Sequence, residues 1–129
     1  MANSKRKGRA GEQEVARIIR DWLGLDIRRN GTEQAAFGGV DLSGVDGWAI
    51  EVKYQARDRV PLWWEQTVRQ SVLAGGKPAL IFRITGQRTG LKLEDKWQCV
   101  VRLRDLGVDC NGAATITLRS WMDYVRNEL

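Results

Sequence analysis

The chain reads as an α/β protein in which a mixed β-sheet is flanked by helices. Three observations predict this. A stretch near the N-terminus carries apolar residues at helical spacing. The segment Trp48 to Tyr54 alternates as a strand does. Helical and strand-like segments then succeed each other in the order α-β-β-β-α-β-β-α. The length of 129 residues has room for one domain, assigned to 1–129 with residues 1–8 as a basic, flexible arm. A composition of 43% hydrophobic and 29% charged residues is that of a globular chain, not a disordered one.

The first helix is expected from Arg9 to Leu23, where Val15, Ile18, Ile19, Trp22 and Leu23 form one stripe and Gly24 follows as a stop. A short strand over Leu25 to Arg29 leads into Asn30 to Gly39, a polar, Gly-rich stretch without apolar period that reads as a mobile loop. Val40 to Ser43, a turn at Gly44 to Gly47 and the strand Trp48 to Tyr54 read as a β-hairpin. Pro61 suits the first turn of a helix to Ala74, with Trp64, Val68 and Val72 on one stripe and Gly75-Gly76 at its end. Ala79 to Ile84 and Trp97 to Leu103 read as strands, and Thr117 as the cap of a last helix carrying Leu118, Trp121, Met122 and Val125.

Histidine is absent, which excludes Ser-His-Asp and Cys-His nucleophilic sites and any His-containing zinc site. Cys99 and Cys110 lack metal-binding spacing, and no N-terminal apolar stretch resembles a secretory signal, so both are expected as reduced thiols in a cytoplasmic protein. No apolar run is long enough for a membrane span. The net charge of +5 favours an anionic partner, and Lys5, Arg6, Lys7 and Arg9 cluster at the start of the chain, as nucleic-acid contacts or as a solvated tail.

The candidate chemistry starts on Trp48 to Tyr54. Side chains alternate across a sheet, so Glu51 and Lys53 share one face and Trp48, Ile50, Val52 and Tyr54 the other. If Val45-Asp46-Gly47 is a three-residue loop with Gly47 left-handed, Gly44 pairs with Trp48 and Asp41 falls opposite Glu51. Two carboxylates whose Cβ atoms lie about 5 Å apart repel by roughly 3 kcal/mol at an effective dielectric near 20. Either a cation sits between them or one stays protonated. Hard oxygen ligands select magnesium, manganese or calcium, and Lys53 beside them could neutralise a phosphate or hold a water. On a helical wheel Glu12 falls about 60° from Val15, inside the apolar arc, whereas Glu14 falls outside it, so Glu12 is expected to turn to the same cluster and Glu14 to be a neutral control. The competing reading is surface ion pairing, since Glu94-Asp95-Lys96 repeats the spacing in a polar stretch. Asp46 is better explained as a turn former.

The segments Lys7-Gly8 through Glu12, Arg29-Asn30-Gly31-Thr32, Val40-Asp41-Leu42 and Ile50-Glu51-Val52-Lys53 together resemble the archaeal Holliday junction resolvases of the PD-(D/E)XK nuclease superfamily. The resemblance implies a restriction-endonuclease-like core. In it Asp41 is the first acid, Glu51 and Lys53 form the E-x-K strand, and Glu12 is the first-helix glutamate, all binding magnesium or orienting the attacking water. It also places Thr32 on a DNA-facing loop and Lys7 and Arg29 near the junction backbone. Val40 stands where the superfamily has proline, and beyond Ile84 the resemblance fades.

The resulting expectation is a magnesium-dependent endonuclease, with manganese able to substitute, that cuts four-way DNA junctions as a homodimer. Asp41, Glu51, Glu12 and the Val52 carbonyl would hold the metal; Lys5, Arg6, Lys7, Arg9, Arg29 and Thr32 would contact DNA. No membrane or small-molecule substrate is expected, and a phage-encoded relative would work in the host cytoplasm. The alternatives are a nuclease of the same fold acting on other DNA (nicking, restriction or repair) and a DNA-binding module without catalysis.

Overall fold

In the computed structural model, which describes residues 2–31 and 39–129 and the side chains from Arg6 onward among them, six strands form one sheet. The elements are α1 (Ala2–Leu23), β1 (Arg28–Arg29), β2 (Leu42–Ser43), β3 (Trp48–Gln55), α2 (Val60–Ala74), β4 (Lys77–Ile84), α3 (Leu93–Lys96), β5 (Gln98–Arg102), β6 (Ala113–Thr117) and α4 (Leu118–Glu128). Strand order across the sheet follows chain order. Strands β3 and β4 are parallel, joined by the crossover helix α2, and the other neighbours are antiparallel. The mixed α/β sheet expected from the sequence is the observed architecture.

Each face of the sheet has its own core. Trp48, Ile50 and Val52 of β3, with Ile81, Cys99 and Val101, pack under Val15 and Ile19 of α1 and Trp121 and Met122 of α4. The opposite face buries Leu80, Phe82, Ile84 and Val100 under Trp63 of α2. Glu51 lies beside Leu80 and Lys53 beside Phe82 across the parallel ladder, so the two charged residues belong to the α2 face. Helix α1 comes close to β3 only because residue 11 is glycine: a Cβ there would stand 3.0 Å from Tyr54 Cβ and 3.2 Å from the Trp97 ring.

Several expectations change. Helix α1 begins at Ala2, so the basic segment forms its first turns; Lys, Arg and Ala are good helix formers, and charge alone does not forbid the turn. The strand expected over Leu25 to Arg29 is reduced to Arg28–Arg29. Of the loop expected over Asn30 to Gly39, residues 32–38, including Thr32, lie outside the described residues, as does the side chain of Lys5. Helix α2 buries Trp63, Thr67 and Ser71, and leaves Val72 76% exposed. The hydroxyls of Thr67 and Ser71 donate to the carbonyls of Trp63 and Val68, both at 2.7 Å, so these small polar residues fit against the sheet with their hydrogen bonds met within the helix. Strand β6 and the short α3 were not expected. Thr117 does cap α4, its hydroxyl accepting the Ser120 N–H at 3.0 Å. Both cysteines are free thiols, Cys99 buried and Cys110 exposed. No helix among the described residues is long and apolar enough to cross a membrane.

Candidate active site

A cleft of about 480 Å³ opens where β2 stops short of β3. Glu12 of α1, Gly39, Asp41, Glu51 and Lys53 of β3, and Gln66 and Gln70 of α2 line it. Helix α1, the residue that leads into β2, and strand β3 bring the three acids and the lysine here, and α2 adds the two glutamines.

The hairpin brings Asp41 to the cleft in an unexpected way. Gly47 takes a left-handed φ of 82°, Trp48 N–H donates to Val45 O at 3.1 Å, and Leu42 pairs with Ile50, as a three-residue loop requires. The ladder does not continue to an Asp41–Glu51 pair. Asp41 N–H donates to Ile50 O at 3.0 Å, so Asp41 and Leu42 both face Ile50, as in a β-bulge. The bulge turns the Asp41 side chain forward, and its Oδ2 accepts the N–H of Val52 at 2.8 Å.

Asn30, 6% exposed, braces that bend on both sides. Its Nδ2 donates to Val40 O at 2.9 Å, its Oδ1 accepts from the Ser43 hydroxyl at 2.9 Å, and its N–H donates to Asp41 O at 3.0 Å. Sequence reasoning gave Asn30 no role beyond loop chemistry. Gln66 and Gln70 were also missed, although with Trp63 and Thr67 they complete an i, i+3, i+4, i+7 stripe that points at the sheet.

The cleft is electrostatically strained. Burial, and then the neighbouring Asp41 charge, push the Glu51 carboxyl up to about 9, against a smaller opposing pull from Lys53. Lys53 Nζ lies 3.6 Å from Glu51 Oε1, close enough to count as an ion pair by distance. Burial and the repulsion from Asp41 therefore work against charge on Glu51 at the point where Lys53 draws it. Glu51 Oε2 and Gln70 Oε1 are buried without hydrogen-bond partners among the described residues. Glu12 is also raised, by burial first and Asp41 second, with Arg29 and Lys53 opposing; its Oε1 accepts from Arg29 Nη2 at 3.2 Å.

Among the described residues no three acidic or thiol side chains close into a complete metal cage. Two adjacent buried carboxyls, one with an orphaned oxygen and a raised pKa, nevertheless fit a divalent cation that would replace the proton and supply the missing partner. Arg29, placed by resemblance on the DNA backbone, is turned inward to Glu12, with the two side chains 25% and 19% exposed. Arg6 and Arg9 are exposed on α1, and Lys7 is half-buried.

Residues outside the cleft separate cleanly. Glu14 is not the idle position its wheel angle suggests: its Oε2 accepts from Trp97 Nε1 at 2.7 Å and Arg83 Nη1 at 3.3 Å. Glu94 and Asp95 are bound to Arg119 at 2.9 and 2.8 Å, which explains that E-x-K-like spacing as a structural ion pair. Asp46 is exposed in the hairpin turn.

A search of curated proteins finds no match to the chain. A family model described as "Phage putative PDDEXK endonuclease" matches residues 3–109, a span that includes Glu12, Asp41, Glu51 and Lys53. Since that match covers most of the chain, the protein belongs to the phage PDDEXK endonuclease family, within the superfamily its sequence resembles.

Proposed function

We propose that the protein is a divalent-metal-dependent DNA endonuclease whose active site is the cleft of Glu12, Asp41, Glu51 and Lys53. The observation that carries this reading is the pair of buried carboxyls beside a lysine, with Glu51 Oε2 buried and without a hydrogen-bond partner among the described residues. Asp41, Glu51 and the Val52 carbonyl would hold magnesium, or manganese in its place. The ion when bound would draw negative charge off the scissile phosphate and lower the pKa of water.

The other steps belong to the chain itself. Asp41, tied to Val52 N–H, stays fixed against the strand that carries Glu51 and Lys53. The Lys53 ammonium neutralises charge developing on the phosphate oxygens. Glu12, steadied by Arg29, orients the attacking water and accepts its proton, a task suited to a carboxyl whose pKa burial has raised. Arg6, Lys7 and Arg9, with Lys5 of the same basic cluster and Thr32 by resemblance, contact the DNA.

The substrate we favour is a four-way junction cut by a homodimer, because a junction needs two paired incisions and a two-fold assembly supplies two clefts. The host cytoplasm is where such an enzyme would meet it. Synthetic junction, flap, nicked and linear duplex DNA incubated with and without magnesium test this directly. Paired symmetric cuts in the junction alone support it. Cutting of linear or nicked duplex at equal rate moves the substrate to the other DNA forms, and binding without cuts in magnesium or manganese removes the nuclease reading.

A further inference from the structure

Beside the cleft lies a second, larger groove of about 900 Å³ that shares Lys53 and Gln66 with it. Lys7, Tyr54, Arg57, Arg59 and Leu62 contribute to its walls. We infer that this groove holds the sugar–phosphate backbone of the cut strand on one flank of the scissile phosphate, with Arg57 and Arg59 as its phosphate contacts. The inference rests on the nuclease reading and adds the path of the strand and two residues to which no role has been assigned.

The chain geometry sets the groove's position. Strand β3 carries Lys53 at the cleft and runs out through Tyr54 and Gln55, so Arg57 follows four residues later. At about 3.3 Å per residue that is at most roughly 13 Å. One strand of DNA advances about 3.4 Å of axis per phosphate, so the distance spans no more than about four phosphates. A strand with its scissile phosphate at Lys53 therefore reaches Arg57 without leaving the protein surface, and Arg59, two residues further along the same groove, lies within about six phosphates.

Charge distinguishes these arginines from most others. Arg28, Arg69, Arg83, Arg102 and Arg119 each pair with a carboxylate. Arg57 and Arg59 are exposed and have no ion-pair partner among the described residues. The acid between them, Asp58, is occupied, its Oδ1 accepting the Val60 N–H at 3.0 Å at the start of α2. Lys7 is already in place on the same wall: its Nζ donates to the Thr85 hydroxyl at 2.7 Å and sits 5.0 Å above the Tyr54 ring. Exposed guanidinium groups beside an apolar rim that includes Leu62, 56% exposed, match phosphates alternating with deoxyribose faces.

The test is the salt dependence of binding to a synthetic four-way junction and to a linear duplex of the same sequence, in EDTA between 50 and 200 mM salt. Removing one cation that neutralises a phosphate lowers the slope of log affinity against log salt by about one. The double variant Arg57→Ala/Arg59→Ala should lose about two from the wild-type slope, while the charge-matched Arg17→Ala/Arg104→Ala keeps it. Neutral methylphosphonate linkages on one flank of the cut site should weaken wild-type binding and leave the Arg57→Ala/Arg59→Ala variant unaffected. An unchanged slope in that variant, or an equal fall in the control, overturns the groove. A protein that cuts DNA while its groove variant keeps the full slope loses this inference alone. One that shows the slope change yet never cuts loses the nuclease reading, and with it the groove's place beside a scissile phosphate, and keeps only Arg57 and Arg59 as phosphate contacts.

Discussion

The carboxylate of Asp41 accepts the backbone N–H of Val52 at 2.8 Å, on the edge of β3 that β2 does not reach. This hydrogen bond ties the first acid of the site to the strand that bears Glu51 and Lys53. It also separates the structural role of Asp41 from its chemical one. Asn at this position keeps an amide oxygen for Val52, and Ala does not. Asp41→Asn is expected to keep near wild-type thermal stability and lose cleavage by about a hundredfold or more. Asp41→Ala should lose the same activity and also about 1–3 kcal/mol of stability, measured by urea unfolding.

Glu51→Ala and Lys53→Ala should likewise abolish cutting in magnesium while DNA binding, read by gel shift, survives. Wild-type-like rates in either variant would remove that residue from the reaction.

The raised Glu51 carboxyl makes metal-free stability depend on pH. Its folded value of about 9 lies above the ordinary carboxyl value of 4.5, so the proton favours the fold. That contribution is complete below about 4.5 and is lost as pH rises through about 9. In EDTA the Tm of the wild type should fall relative to Glu51→Gln as pH rises from 5 to 9. Added magnesium or manganese should recover more stability at the alkaline end, where less proton must be displaced. Parallel curves for the two proteins would contradict the assignment.

Asn30→Ala removes two side-chain hydrogen bonds that brace the Asp41 bend, to Val40 O and from Ser43. A cost of about 1–3 kcal/mol is expected for a buried amide of this kind. The metal concentration for half-maximal cleavage should rise as well, which a purely structural loss would not produce in the fraction that stays folded.

Glu14→Ala should destabilise the fold by about 1–3 kcal/mol, because buried Trp97 and half-buried Arg83 lose their acceptor, while the rate of the folded enzyme is unchanged. The exposed Glu65, paired with Arg69 in the next turn, is the neutral control, with an expected effect below about 0.5 kcal/mol.

Much of the fold was legible because a few residues over-determine it. Gly47 at the end of a three-residue turn fixes the hairpin register, and the alternation of β3 separates Glu51 and Lys53 from the Trp48–Val52 face. What escaped has physical causes. Thr67 and Ser71 hide a buried stripe behind polar side chains that bond their own helix, so the apolar period points to Trp64, which does pack part-buried against that core, and to Val72, which is exposed. Strand β6 is short and has few large apolar residues, and its ladder with β5 emerges only from long-range pairing. The Asp41 bulge arises because Asn30 reaches across from the end of β1, a contact no local pattern encodes. Glu12 was traceable from the helical wheel, and Glu14 was not, because its partners Trp97 and Arg83 lie far along the chain.

Crystals soaked in millimolar manganese and measured at an energy where manganese scatters anomalously test the site most directly. The account predicts an anomalous peak within coordination distance, about 2.0–2.3 Å, of carboxylate oxygens from both Asp41 and Glu51, lost in Asp41→Ala. A map without a peak there, from protein that still cleaves DNA in manganese, would contradict it.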